Sequence, residues 1–304
     1  MGIGDLYSAD AASEVHYVDV GTHGVPNYGS VYVVDAAEPA IVDPGTGQND
    51  DLVLDALDEL GIDPDDVQHI LLTHVHLDHA GGAGSLAEAC PNATVRTHEA
   101  GVPHLVDPDR LVAGTKQVVG DQWEFYADPV PIPEARVASL TDGDGIDLGD
   151  RTLSAHHAPG HAPHQTMFVD PGDGLCFTGD AAGIYVPGPN VLKETSPPPQ
   201  FDLEQCLDDV RAVEAINPDT LCFGHFGAVP YRPDLMAGYK RTLVEWVEAV
   251  RQQRAELDAD DAVCEHFADT ADPTLADVWS DRKARAEERL NASGVLTALD
   301  RGRA

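Results

Sequence analysis

Four times along this chain a short apolar run ends in one or two small residues and then in a histidine or an aspartate. The first is Val67 to Thr73, followed at once by His74. The others are Ala158-Pro159-Gly160-His161, Phe177-Thr178-Gly179-Asp180 and Leu221-Cys222-Phe223-Gly224-His225. Runs of this kind suit buried strands. A rigid strand end followed by a tight turn presents a polar side chain at a fixed place. Its recurrence in distant segments is the mark of a site assembled along one edge of a sheet, and it constrains the fold accordingly.

Around these runs the elements follow an α/β order. Val15 to Val20 and Ser30 to Asp35 read as strands, and Ala40 to Asp43 as a short one closed by Pro44-Gly45. Asn49 or Asp50 caps a helix in which Leu52, Leu57 and Leu60 recur near helical spacing and which Gly61 stops. A further helix is expected from about Ser85 to Ala89. Residues 99 to 134 carry helix-like stretches broken by Pro103, Pro108, Pro129, Pro131 and Pro133, and residues 136 to 178 return to short strands and turns. Glu204 to Ile216 is amphipathic, and Thr220 to Phe223 is expected to be the last strand. Beyond Pro233, Leu235, Tyr239, Leu243, Val247 and Val250 predict helix. Ser196-Pro197-Pro198-Pro199 is the one linker-like stretch. The expected organisation is a layered α/β body over residues 1–230 and a helical region over 231–304.

Composition narrows the function classes. Eighteen Lys and Arg face 53 Asp and Glu, a formal charge of −35 on 304 residues, while 42% hydrophobic residues suffice for a core. Such a surface repels phosphate backbones and anionic lipid, which argues against a nucleic-acid or membrane-surface binder. Lysine occurs only at 116, 193, 240 and 283, and the acids are dispersed along the chain. This resembles proteins of halophiles that keep molar salt in the cytoplasm. Cys90, Cys176, Cys206, Cys222 and Cys264 are odd in number and form no C-x-x-C pair, so they read as buried reduced thiols of a cytoplasmic protein. The stretch Met1 to Asp5 lacks the features of a secretory signal, and no apolar run of 18 residues is present to span a membrane. A small molecule is the expected partner, and oligomeric state stays open.

The segment His74-Val75-His76-Leu77-Asp78-His79-Ala80-Gly81-Gly82 places four metal-competent side chains within six residues. Imidazole and carboxylate suit Zn²⁺ and related borderline metals. The glycines let the backbone turn sharply beside them. One loop does not complete two coordination spheres, and His161, Asp180 and His225 are the further candidates. His164, three residues after His161, and Tyr185, five after Asp180, are candidate second-layer groups or substrate contacts.

An H-x-H-x-D-H loop, a P-G-H, a G-D and a strand-end His, in that order within residues 28 to 227, resemble the metallo-β-lactamase-fold hydrolase superfamily. The resemblance implies an αββα sandwich with metals at the sheet edge, here followed by a C-terminal helical appendage. It implies His74, His76 and His161 on one ion, Asp78, His79 and His225 on a second, and Asp180 bridging. Two Zn²⁺ are the expected cofactors, with Fe or Mn as alternatives. A bridging Asp is similar to the glyoxalase II, lactonase and phosphodiesterase branches, whereas the antibiotic-hydrolysing lactamases carry Cys or Ser there. His76 departs from the flavodiiron branch, which carries Glu.

The activity implied is hydrolysis of an ester, thioester or lactone carbonyl by a hydroxide bridging the ions, as in hydroxyacylglutathione hydrolases. Asp78 would orient the nucleophile, and His164 or Tyr185 would protonate the leaving group. The glutathione-binding residues of that branch find no match in 231–304. Three alternatives stay open. One is a mononuclear iron persulfide dioxygenase using His74, His161 and Asp180. Another is a phosphodiesterase or nuclease of the same fold, against which the charge works. The last is a binding module that keeps the fold without the chemistry.

Overall fold

The computed structural model describes residues 2–9 and 14–304. Met1, the start of the stretch considered above as a leader, lies outside the described residues.

The first sheet begins with β1 (Leu6–Ser8), β2 (Val15–Asp19), β3 (Ser30–Val34) and β4 (Ala40–Val42), each antiparallel to its neighbour. After helix α1 (Asp50–Leu60), β5 (His69–Leu71) joins β4 in parallel. Helices α2 (Leu77–Ala80) and α3 (Ala83–Ala89) lead to β6 (Thr94–His98), and α4 (Val102–Val106) and α5 (Asp109–Val119) to β7 (Val137–Leu140), again parallel. The second sheet uses β8 (Gly145–Asp147), β9 (Thr152–His157), β10 (Thr166–Asp170) and β11 (Leu175–Gly179). A separate hairpin, β12 (Ile184–Val186) and β13 (Val191–Lys193), and helix α6 (Leu203–Ile216) precede its remaining strands, β14 (Thr220–Phe223) and β15 (Gly227–Pro230). The chain continues as α7 (Pro233–Glu256), α8 (Asp260–Asp269), α9 (Pro273–Val278) and α10 (Asp281–Asp300).

The two-residue period of a strand sorts the side chains into layers. In β2, β3 and β4, Val18, Val31, Val33 and Ile41 face outward and pack with Val53 and Leu57 of α1 and Leu86 of α3. Their neighbours Tyr17, Tyr32, Val34 and Val42 face inward and meet Leu153, Phe168, Phe177 and Cys222 of the second sheet. The outer face of that sheet (Met167, Val169, Cys176, Leu221 and Phe223) is covered by α6, α7 and α10 through Val210, Val213, Leu243 and Val295. Helix, sheet, sheet, helix is the αββα sandwich, and residues beyond 231 share one apolar cluster with the second sheet. Among the described residues no helix is long and apolar enough to cross a membrane, and the five cysteines are buried and form no disulfide.

Three local expectations are corrected. The strand expected over 67–73 is regular only from His69 to Leu71: Val67 closes the preceding 3-10 turn, and past Leu72 the Asp43 carboxylate, a side chain, takes the Thr73 N–H. Thr220–Phe223 is not the last strand: the chain reverses through Gly224–Phe226 and returns as β15. The stretch 196–199 is no linker. Ser196 is fully buried, its N–H donates to Asn291 Oδ1 of α10 at 2.5 Å, and its hydroxyl accepts from Trp246 Nε1 of α7 at 3.1 Å.

Candidate metal centre

Strand ends from both sheets meet at one edge. Thr166 N–H, entering β10, donates to the Thr73 carbonyl beyond β5 at 2.7 Å, so the sheets are hydrogen-bonded to each other beside His74. The small residues before the polar ones are there for space. A Cβ on Gly179 would sit 2.5 Å from both Gln165 Nε2 and Thr73 Oγ1, at a φ of +49°. One on Gly224 would sit 2.6 Å from the His79 ring.

The edge gathers two triads of donor atoms, His74 with His76 and His161, and Asp78 with His79 and His225. A third set, His74, His79 and Asp180, connects them. Asp180 reaches both sides: Oδ2 lies 3.3 Å from His161 Nε2, and Oδ1 lies 3.2 Å from His79 Nε2 and 3.6 Å from His225 Nε2. His76 Nδ1 lies 2.9 Å from His161 Nε2, and His79 Nε2 lies 3.1 Å from His225 Nε2. All seven residues singled out from the sequence as ligands therefore stand in one group.

Several residues that hold this group were not singled out. Asp43, at the end of β4, accepts the Thr73 N–H on Oδ1 at 2.8 Å; its Oδ2 accepts the Thr73 hydroxyl at 2.7 Å and lies 3.1 Å from His79 Nδ1. Thr195 donates its hydroxyl to Asp180 Oδ2 at 3.0 Å. His225 Nδ1 donates to the Tyr28 carbonyl at 3.1 Å, which leaves Nε2 as a lone pair facing the group. Tyr28 is itself held from α10: its hydroxyl donates to Glu287 Oε2 at 2.8 Å, and Lys283, paired with Glu287 at 2.7 Å, stands 3.9 Å over its ring. Asp209 of α6 accepts the Gly160 N–H at 2.7 Å, fixing the turn before His161. The signal for Asp43 was its Asp-Pro-Gly turn at a strand end, the same pattern as the others.

Electrostatics match a cation-binding donor set. Burial, reinforced by the neighbouring imidazoles, holds His74 well below the usual histidine value. Burial and then His161 hold His76 at about 3. Burial works against ionisation of Asp78 and Asp180, yet the surrounding histidines outweigh it and hold both carboxyls well below the usual range. For His79 burial is likewise outweighed, by Asp180 and Asp43, which keep its pKa well above the ordinary value. His74 Nε2 is buried and has no hydrogen-bond partner among the described residues. His74, His76 and His161 held neutral beside ionised carboxylates, with an orphaned ring nitrogen and nitrogen pairs near 3 Å, fit borderline divalent ions.

The group floors a cavity of about 470 Å³ walled by Leu111, Val118 and Val119 of α5, the Pro197–Pro199 stretch and Leu290 of α10. His164 lines it as well. Its Nδ1 accepts the Val75 N–H at 3.4 Å, which puts the ring proton on Nε2. Burial and then His76 push its pKa down to about 2. With its proton on Nε2 the ring can donate a hydrogen bond into the cavity. The expectation for Tyr185 is corrected. Its hydroxyl donates to Asn190 within the β12–β13 hairpin and its ring stacks on Phe223, so it does not reach the cavity.

A model of the metallo-beta-lactamase superfamily matches residues 24–225, from just ahead of Tyr28 to His225. The chain belongs to the metallo-beta-lactamase superfamily. It is a metal-dependent hydrolase of that superfamily. Among similar superfamily proteins, a metallo-beta-lactamase fold-containing protein of Sulfurisphaera tokodaii is 27% identical over 222 residues, 71% of this chain and 79% of its own length. An N-acyl homoserine lactonase of Rhizobium radiobacter is 32% identical over 123 residues, which span 38% of this chain and 41% of the lactonase. The crystal structure of an archaeal superfamily protein from Sulfolobus tokodaii superposes with a TM-score of 0.70 at 21% identity, covering 94% of this chain and 99% of that one. A family protein from Thermus thermophilus superposes at 0.62 and 20% identity over 90% and 89%. At these identities the overlays speak for the fold, and the first extends into the helices beyond residue 231.

Proposed function

We propose that this chain hydrolyses a lactone, ester or thioester carbonyl at a centre of two divalent ions, zinc first, with His74, His76 and His161 on one, Asp78, His79 and His225 on the other, and Asp180 between them. The observation that carries this is the pair of triads joined through Asp180 at the floor of one cavity. A bound divalent ion polarises a carbonyl oxygen and lowers the pKa of water. The chain's own residues do the rest. Asp43 and the Tyr28 carbonyl aim His79 and His225, and Thr195 fixes the Asp180 carboxylate. Asp78, at the cavity wall, accepts a hydrogen bond from the attacking water. His164, neutral with its proton on Nε2, donates to an oxygen of the substrate. The proline wall and α5 exclude water around the scissile bond.

Partial similarity to N-acyl homoserine lactonases supports placing lactones ahead of glutathione thioesters. The dispersed acidic surface supports a salt-rich cytoplasm as the setting. The test is metal content of protein purified without added metal, followed by turnover of a panel of lactones, thioesters and phosphodiesters in molar salt. About two ions per chain and lactone or ester turnover, lost in Asp180→Ala with an unchanged circular dichroism spectrum, is the expected result. A single iron with O₂ uptake on a persulfide, or turnover confined to phosphodiesters, overturns it.

A further inference from the structure

We propose that Arg110 binds an anionic group of the substrate, a carboxylate or phosphate carried on an apolar arm away from the carbonyl that is cleaved. This rests on the hydrolase function above and names its substrate class.

Cations are scarce in this chain and most are already engaged. On α5 itself Lys116 pairs with Asp128 and stands over the Trp123 ring, and nearby Arg282 pairs with Asp121 and Glu124. Arg110 also lies on α5 and lines the cavity over the metal centre. Among the described residues no carboxylate stands within ion-pair distance of it. Asp107 and Asp109 precede it in sequence, and the Asp107 carboxylate accepts the Asp109 N–H instead. A guanidinium left unpaired at a cavity, in a molecule of charge −35, is a local reversal of the field with five donors to offer.

The rest of the cavity says how such an anion would be carried. None of the eleven residues of α5 is buried, although Leu111, Val118 and Val119 face the cavity. An apolar arm lying against them would remove that face from water. From the floor outward the rings run His76, His164 at 5.5 Å and His104 a further 6.3 Å on. Arg110 lines the same cavity as His104, and its charge, after burial, lowers the His104 pKa from the usual histidine value. Carbonyl at the floor, apolar arm along α5, anion at Arg110 is one extended ligand.

The probes are straight-chain diacids from succinate to sebacate, the matching ω-phosphono acids, and the monoacids from butyrate to decanoate. Each monoacid carries only the group that would meet the metals. Binding to the metal-loaded protein is measured by calorimetry at modest salt. At some chain length a dianion should bind about tenfold tighter than its monoacid. Arg110→Gln should bring that ratio to within about twofold, and Arg110→Lys should keep most of it. Preference for the diacid assigns a carboxylate, and preference for the phosphono acid a phosphate. A ratio near one at every length in the unaltered protein, or one that Arg110→Gln leaves in place, overturns the proposal. Binding needs no turnover. Absence of hydrolysis of neutral and anionic 4-nitrophenyl esters would sink the hydrolase function alone, and the binding ratio would still decide on Arg110.

Discussion

Asp43 serves the Thr73 N–H, the Thr73 hydroxyl and the His79 ring with its two carboxylate oxygens, 3% exposed, and each of them depends on an acceptor. An Asn there turns one oxygen into a donor, whichever way the amide is set. Asp43→Asn is therefore expected to leave a buried donor facing a donor and to weaken metal binding about 10–100-fold, read by chelator competition and metal analysis. A second residue gives a pH test. Burial pushes the Asp209 carboxyl up to about 7. Its folded value lies above its unfolded one, so its stabilising contribution is complete below about 4 and lost as pH rises through about 7. Asp209→Asn keeps an acceptor for the Gly160 N–H and does not titrate. Melting temperatures of the two proteins should coincide near pH 4 and separate in favour of Asn by pH 8. A gap that does not widen with pH would show that Asp209 stays ionised throughout.

At the scale of elements, the sandwich and the seven clustered residues were legible because strands and turns are local. Alternation, proline and glycine mark where a run ends, and the polar residue after it can only stand at the sheet edge. What was not legible acts at a distance or through atoms every residue has. Tyr28 matters through its carbonyl, and Glu287 through a partner 259 positions away. Tyr185 was misplaced for a related reason. Five positions past Asp180 is close in sequence, but the β12–β13 pairing carries its ring to Phe223 instead of the cavity. Helix α10 is where this distance tells most. Its Glu287 is buried between Lys283, Tyr28 and Asn291. Glu287→Ala leaves Lys283 charged and unpaired in the interior, at a cost of about 3–5 kcal/mol, and frees the residue that aims His225. Both a lower unfolding free energy in denaturant and a lower metal content are expected. Full metal content in a variant that is destabilised would confine Glu287 to packing.

Over the whole molecule the dominant quantity is the charge of −35. Its self-repulsion is felt over a Debye length of about 10 Å at 0.1 M salt and about 3 Å at 1 M. Melting temperature should therefore climb through molar KCl, and a melting curve indifferent to salt would show that local ion pairs such as those of Arg151 and Arg254 already compensate. The metal centre adds a constraint in time. Its first donors are in the chain by His79, yet His161, Asp180 and His225 come much later, and the helix that steadies Tyr28 comes last. A nascent chain leaving the ribosome thus exposes a half-built claw of imidazoles, open to any borderline ion in the cell, until α10 has been made.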